Sequence, residues 1–407
     1  MLIIGSALGS IWMMMIYGLK LPAELMSRVN LHVLLQFDGF LTLMIMGIGY
    51  LIVPRFRNIT IPSIKIAYAS YVFMLISIIC SIVVSWPRVP QMIHDFGSFL
   101  ADTFRVLAVG IFCFIIIWIL RVRPKLLRMA DYFIGMSVVL FGTLTVLHSF
   151  NFNVITNNIL LWLMFPILMI FGVEYKTLPS FIGFIWPRKL PSLISATLLT
   201  LSLCCGIASI FYNSILLSTL FQFSFLAGAI CFAWAHNIFV GFDTSKIMQL
   251  SKGEKKARYK YTLFIAKLSF AFLFVGITLS ITSIYLPSIF VIYDMWIHII
   301  AIGFIGLTIA LYLPLLLSPI LGRTIRFTHF SKLPVWLILI SLSVRVVGDI
   351  FIQTISYSGE VSYQYLAIPL SLSGWLIVAA ILSFMFMVHR SMNVVSKVFT
   401  EDGTTAI

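Results

Sequence analysis

The chain has 407 residues, 61% of them hydrophobic and only 10% charged, with a mean hydropathy of +1.09 and a net charge of +14. That balance excludes a soluble globular domain, and repeated apolar runs of about 20 residues are membrane spans. The positive charge does not point to nucleic acid, because basic residues beside spans set orientation and meet anionic lipid.

Backbone polar groups inside a bilayer must pair internally, so spans are helices or closed barrels. These runs are too long and unbroken for barrel strands. The fold class expected is all-α, a polytopic membrane helix bundle. Apolar length gives about twelve spans: 2–19, 29–53, 63–85, 104–120, 131–150, 157–178, 191–212, 215–240, 261–286, 294–317, 333–356 and 364–389.

The basic residues give an independent check. Twenty-two of the 27 lysines and arginines fall in alternate loops or the C-terminal tail; Lys20, Arg28, Arg88, Arg105 and Arg345 are the rest. The positive-inside rule then places both termini on the cytoplasmic side of the cytoplasmic membrane. The first apolar run has no basic leader and no small-residue cleavage site, so it is read as a span rather than a signal peptide. The chain reads as one integral membrane domain, 1–407. A basic, solvated loop, 242–260, joins helices eight and nine.

All five cysteines, Cys80, Cys113, Cys204, Cys205 and Cys231, lie inside apolar runs without metal-ligand spacing and read as small buried residues. The aromatic residues read as lipid-facing packing and interfacial belt.

Topology sorts the histidines by depth. Spans two and ten both enter from the outside, which sets His32 and His298 at similar levels. Two imidazoles at one depth on facing helices can supply both axial ligands of a haem iron. A membrane histidine can equally serve as a hydrogen-bonding link between helices. His148 is near the outer end of span five, His236 near the inner end of span eight, and His94 in an outer loop; His329 and His389 lie at the inner surface. Copper stays open, with His148 and His236 available. On span eleven, Arg345 and Asp349 stand at i, i+4 and are expected to pair, with contact from Arg345 to a haem propionate as the other reading. Asp38 reads as a hydrogen-bonded packing group, Arg105 as a partner of Asp102, and Glu174 with Tyr175 as interfacial.

Span two, HVLLQFDGFLTLMIMGIGYLIVPRF, resembles the second helix of haem–copper oxidase subunit I, which carries a low-spin haem ligand, a glycine-rich run and a Tyr-Leu-x-x-Pro-like end, here Tyr50 to Pro54. It is more similar to the NnrS family of twelve-span haem- and copper-containing membrane proteins. In that family a His-x-His precedes Gly-Phe; here the first position is His32 and the second is Leu34. The stretch from His298 to Gly306 resembles the NnrS His-Ala-Leu-Thr-Val-Gly pattern. Gly322-Arg323 and Arg345 are similar to a Gly-Arg pair and an arginine that follow it.

The departures narrow what the resemblance implies. Spans six and seven carry no histidine, so the copper ligands of an oxidase reaction centre are missing, and span ten has one histidine where oxidases use two. The resemblance therefore implies a subunit-I-like bundle with one haem, of the b type, on His32 and His298 and near Arg345. It implies electron transfer, or nitric oxide or oxygen-related respiratory work, without a haem–copper dinuclear centre. The partners implied are the lipid bilayer and a redox partner or respiratory-complex subunits. The rival readings are a twelve-span secondary transporter and a non-catalytic subunit of a respiratory complex.

Overall fold

The computed structural model describes residues 1–15, 29–85, 89–122, 128–150, 159–239, 253–286, 290–321, 330–358 and 364–401. The described residues form helices and no strand. We label them α1 (Leu2–Met13), α2 (Val29–Gln36, π-helical Phe37–Thr42, then Leu43–Arg57), α3 (Ile64–Val84), α4 (Gln91–Val122), α5 (Met129–Ser149) and α6 (Ile159–Thr177 with π-helical Leu178–Ile182). Then come α7 (Lys189–Tyr212), α8 (Ile215–Ala235), α9 (Gly253–Tyr285), α10 (Phe290–His298, π-helical Ile299–Gly306, then Leu307–Leu321), α11 (Leu333–Ser358) and α12 (Gln364–Glu401).

Eleven of these, α2 to α12, are long and apolar enough to cross a membrane. The chain is thus built as a multi-pass membrane protein in a lipid bilayer. The first expected span, 2–19, is described only in part; α1 has 12 helical residues, and 16–19 lie outside the described residues.

Two boundaries differ from expectation. Helix α9 begins at Gly253, so the last eight residues of the expected basic loop are helix; its lysines and arginine are good helix formers and extend the span outward. The rest of that loop lies outside the described residues. Helix α4 runs 32 residues, so His94 stands in its exposed first turn rather than in a loop.

Chain ends of the helices are set by local chemistry. Ser63 and Ser214 accept hydrogen bonds from the third residue onward at the starts of α3 and α8. Asn58 and Asn213 take the left-handed conformation, φ 52° and 44°, that stops α2 and α7.

The alternation of basic ends is visible in contacts. Arg57, at the end of α2, reaches Asp131 at the start of α5 (3.3 Å) and the Leu120 carbonyl at the end of α4 (2.9 Å). Lys176, late in α6, reaches the Phe56 carbonyl (3.3 Å). The Arg188 amide, before α7, reaches the Ala235 carbonyl at the end of α8 (3.0 Å). These ends therefore share one level.

Helix α6 is the hub. It has the most buried span, 83%, and packs on α2, α5 and α10. Gly172 permits its closest approach: a Cβ there would overlap Ile134 and stand 3.0 Å from the Ala130 carbonyl. Around it, Phe171 stacks on Phe232 at 4.1 Å, Phe270 lies 6.0 Å from each ring, and Phe304 stands edge-on to Phe270 at 5.5 Å. Among the described residues nine phenylalanines stand with the largest fully buried side chains, so a share of the aromatics expected at the lipid face instead fills the core. Buried serines bridge neighbours by donating to main-chain carbonyls: Ser77 to Ala101, Ser137 to Phe165, Ser195 to Gly228, Ser202 to Phe221 and Ser341 to Ser373, at 2.7–2.9 Å. Apolar side chains gain little by meeting each other rather than lipid, so small residues and such bonds hold membrane helices together.

Candidate functional site

The site begins with α1. Its Gly5-Ser6-Ala7-Leu8-Gly9 segment puts two glycines on one face, four residues apart, which lets a neighbouring helix come close. That neighbour is the first half of α2. A Cβ on Gly5 would touch Gln36 and Leu35 at 3.1–3.2 Å, and one on Gly9 would meet the His32 ring at 2.7 Å. Gln36 donates to the Ser6 hydroxyl (3.0 Å). Met1 packs on Gly39, where a Cβ would stand 3.1 Å from it. Of the glycines in α2, Gly39 and Gly49 pack closely, against Met1 and Phe112, whereas Gly47 is exposed with no atom within 4 Å of its Cβ position. The other flank of α1 meets Gly374 of α12, where a Cβ would overlap Ser10 and Ser6.

His32 is thereby held on α1. Its Nδ1 lies 2.7 Å from the Gly5 carbonyl. A carbonyl only accepts, so Nδ1 carries the proton and Nε2 keeps its lone pair. His298 repeats the pattern: its Nδ1 lies 2.8 Å from the Asp294 carbonyl and 3.3 Å from the Asp294 carboxylate. The two imidazoles are thus in one tautomeric state, each with Nε2 directed away from its helix anchor. Fixing Nδ1 on a carbonyl or carboxylate is how metal-bound histidines are commonly oriented.

His32 lies within electrostatic range of His298, Arg345 and Asp294. The two expected ligands, on α2 and α10, and the expected arginine on α11 therefore share one electrostatic neighbourhood. Each histidine also precedes a π-helical segment, Phe37–Thr42 after His32 and Ile299–Gly306 directly after His298. Such widenings recur at functional sites, because they free main-chain groups and re-aim side chains.

Arg345 does not pair chiefly with Asp349. Its Nε and Nη2 donate to Asp294 at 2.7–2.9 Å, while Asp349 stands 3.9 Å away. The i, i+4 spacing brings Asp349 alongside, but only Asp294, on the facing helix, matches the planar guanidinium at both oxygens. Asp294 was missed by sequence reasoning. Its signal was its place one helical turn before His298.

His148 belongs to a different group. It stands edge-on to Trp162 at 6.3 Å and within electrostatic range of Arg105, Asp102 and Asp38. There Arg105 reaches Asp38 at 2.8 Å and Asp102 at 3.7 Å, so Asp38 is an ion-pair member and the local i, i+3 pair is the weaker one. His236 is fully buried at the end of α8, with Nδ1 3.1 Å from the Phe232 carbonyl and its ring edge-on to Tyr175 at 5.3 Å. Glu174, expected at an interface, is 1% exposed. Helix α6 is enclosed on nearly all sides, so depth along the helix does not give exposure. Gly322, Arg323 and His329 lie outside the described residues.

Among the described residues no three histidine, cysteine, aspartate or glutamate side chains converge as a metal site. Two histidines alone suit an iron whose remaining ligands come with a macrocycle. The donor set fits that group, with one imidazole offered from each of two helices. Two buried indole N–H groups on the helices that carry or hold these histidines, Trp12 on α1 and Trp296 on α10, have no hydrogen-bond acceptor. An acidic substituent of such a macrocycle would supply one. Compared with protein-family models and with curated proteins, the chain has no match.

Proposed function

We propose that this chain is a haem-binding integral membrane protein of the cytoplasmic membrane, of the kind its resemblance to NnrS suggests, with His32 and His298 as axial ligands. It serves electron transfer, or nitric oxide or oxygen-related respiratory chemistry, and has both termini in the cytoplasm. The observation that carries the reading is the shared state of two histidines on separate helices. Each fixes Nδ1 on a main-chain carbonyl, at 2.7 and 2.8 Å, and leaves Nε2 as a ligand within one charged cluster.

The chain's own groups have distinct tasks. Gly5 and Gly9 hold His32 in its tautomer and orientation. Asp294 orients His298 from one turn away and holds the Arg345 guanidinium in place. Arg345 offers its remaining guanidinium donor, Nη1, to a carboxylate. When bound, a haem would supply a one-electron couple at this position. The resemblance leaves Leu34 where a further histidine would stand, and α6 and α7 lack the copper ligands of an oxidase, so no oxidase reaction centre is proposed.

A visible spectrum of the detergent-purified protein tests the reading. A Soret band with sharp reduced α and β bands is expected, and His32→Ala and His298→Ala should each remove or weaken them. Their absence from haem-supplemented wild type would overturn it. One observation favours a second reading, a proton- or ion-coupled transporter: Asp294, Arg345 and Asp349 are ionisable groups buried inside the bundle. Solute uptake without a haem spectrum would select it.

A further inference from the structure

The basic ends of α2, α5 and α6 converge on one carboxylate. Asp131, in the first turn of α5, accepts from the Arg57 guanidinium of α2 at 3.3 Å and from the Arg128 amide at 2.9 Å on the same oxygen. Lys176 of α6 donates to the carbonyl of Phe56, next to Arg57, at 3.3 Å, and its ammonium stands 4.5 Å from the centre of the Phe56 ring. It lies within electrostatic range of both Arg128 and Asp131. Three cations thus share one carboxylate.

The charges do not balance. Arg57 and Asp131 are both buried and neutralise each other. Lys176 is half-buried and Arg128 exposed, and neither forms an ion pair among the described residues. Two positive charges are left in one neighbourhood at the rim of the bundle, and like charges so placed repel until an anion joins them. Helix α5 begins here, so the positive end of its dipole adds to the same field. The Phe56 carbonyl and ring already fix the Lys176 ammonium, and a cation placed in advance lowers the ordering cost of binding. That contact uses one of three ammonium donors, which leaves two for the oxygens of a ligand.

The position selects the ligand. These residues stand at the ends of membrane-spanning helices, where lipid head groups lie. The segment after Lys176 carries Phe181 and Trp186, both exposed, as aromatic side chains at a bilayer interface are. A zwitterionic head group would bring its own ammonium against the surplus positive charge. A head group whose only charge is its phosphate brings none, and its two free oxygens can accept from the Lys176 ammonium and the Arg128 guanidinium together. We infer that the ends of α2, α5 and α6 form a binding site for the phosphate of one anionic phospholipid, held by Lys176 and Arg128 over the buried Arg57–Asp131 pair. The inference goes beyond the haem reading and does not depend on it, because it concerns binding at a separate place and involves no redox step.

The test uses the full chain in neutral detergent, with dioleoylphosphatidylglycerol as probe and bound lipid counted by native mass spectrometry. Wild type should hold one molecule, in clear preference to dioleoylphosphatidylcholine. One charge beside a head group changes affinity about fivefold, so Lys176→Gln and Arg128→Gln should each weaken binding by about that factor. Lys176→Arg keeps the charge and should keep the lipid. Lys65→Gln removes an exposed charge from the start of α3, at the same end of the bundle, and should leave binding unchanged. Equal retention of the two lipids would overturn the proposal. So would a loss in Lys65→Gln equal to that in Lys176→Gln, which marks general attraction by the basic face. Complete displacement of the lipid by inorganic phosphate would also overturn it, by assigning the cation pair to a free anion. None of these outcomes bears on the histidine pair, which the visible spectrum reads separately.

Discussion

Arg345 on α11 donates to both carboxylate oxygens of Asp294 on α10, at 2.7–2.9 Å, four residues ahead of His298. Both members are buried, at 6% and 7% exposure. A pair so enclosed is worth little against an apolar replacement, but removing one member strands the other charge. Asp294→Ala should therefore destabilise the bundle by about 3–5 kcal/mol, and Asp294→Leu combined with Arg345→Met by clearly less. Unfolding in mixed detergent would measure both. A double variant as unstable as the single one would mean that the pair is not what holds α10 to α11.

Gly9 is no ligand, yet its Cβ position lies 2.7 Å from the His32 ring. Gly9→Leu should push the ring off the Gly5 carbonyl and lower haem content as His32→Ala does. The exposed His389→Ala should change nothing. Pyridine haemochrome assays against protein concentration would decide it. Full haem loading in Gly9→Leu would break the link between α1 and ligand orientation.

The proposed function includes no oxidase copper centre, because Leu34 and the histidine-free α6 and α7 depart from the pattern of the oxidases that the chain resembles. The isolated protein should show no steady-state oxygen consumption with an artificial electron donor. Turnover at ordinary enzymatic rates, roughly 1–10³ per second, recorded polarographically would contradict this.

Single cysteines at Tyr212 and Lys256, both exposed and at opposite ends of the bundle, should react with an impermeant maleimide from opposite sides in a cysteine-free background. Lys256 should be the cytoplasmic one, because it belongs to the basic set. Labelling of both from one side would reverse the helix alternation.

How much of this was legible in the sequence follows from the range of each interaction. Apolar length and basic alternation are local properties, and α3, expected over 63–85, is Ile64–Val84. The levels of His32 and His298 followed from counting along spans, since a helix rises a fixed 1.5 Å per residue. Which side chains face each other is not a local property. Arg345 chose Asp294, 51 residues away, over Asp349 on its own helix, and Arg105 chose Asp38 over Asp102. In both cases helical spacing supplied a neighbour, but only the facing helix supplied the aligned oxygens. Glu174 read as interfacial because its depth is near a span end, and only packing around α6 made it buried. Sequence by itself thus determined that the chain is a bundle of long apolar helices and where most of them lie along it. Rotation about each helix axis, and with it every pairing in the candidate site, was decided by tertiary packing, because almost every face of these helices is apolar enough to point either at lipid or at protein.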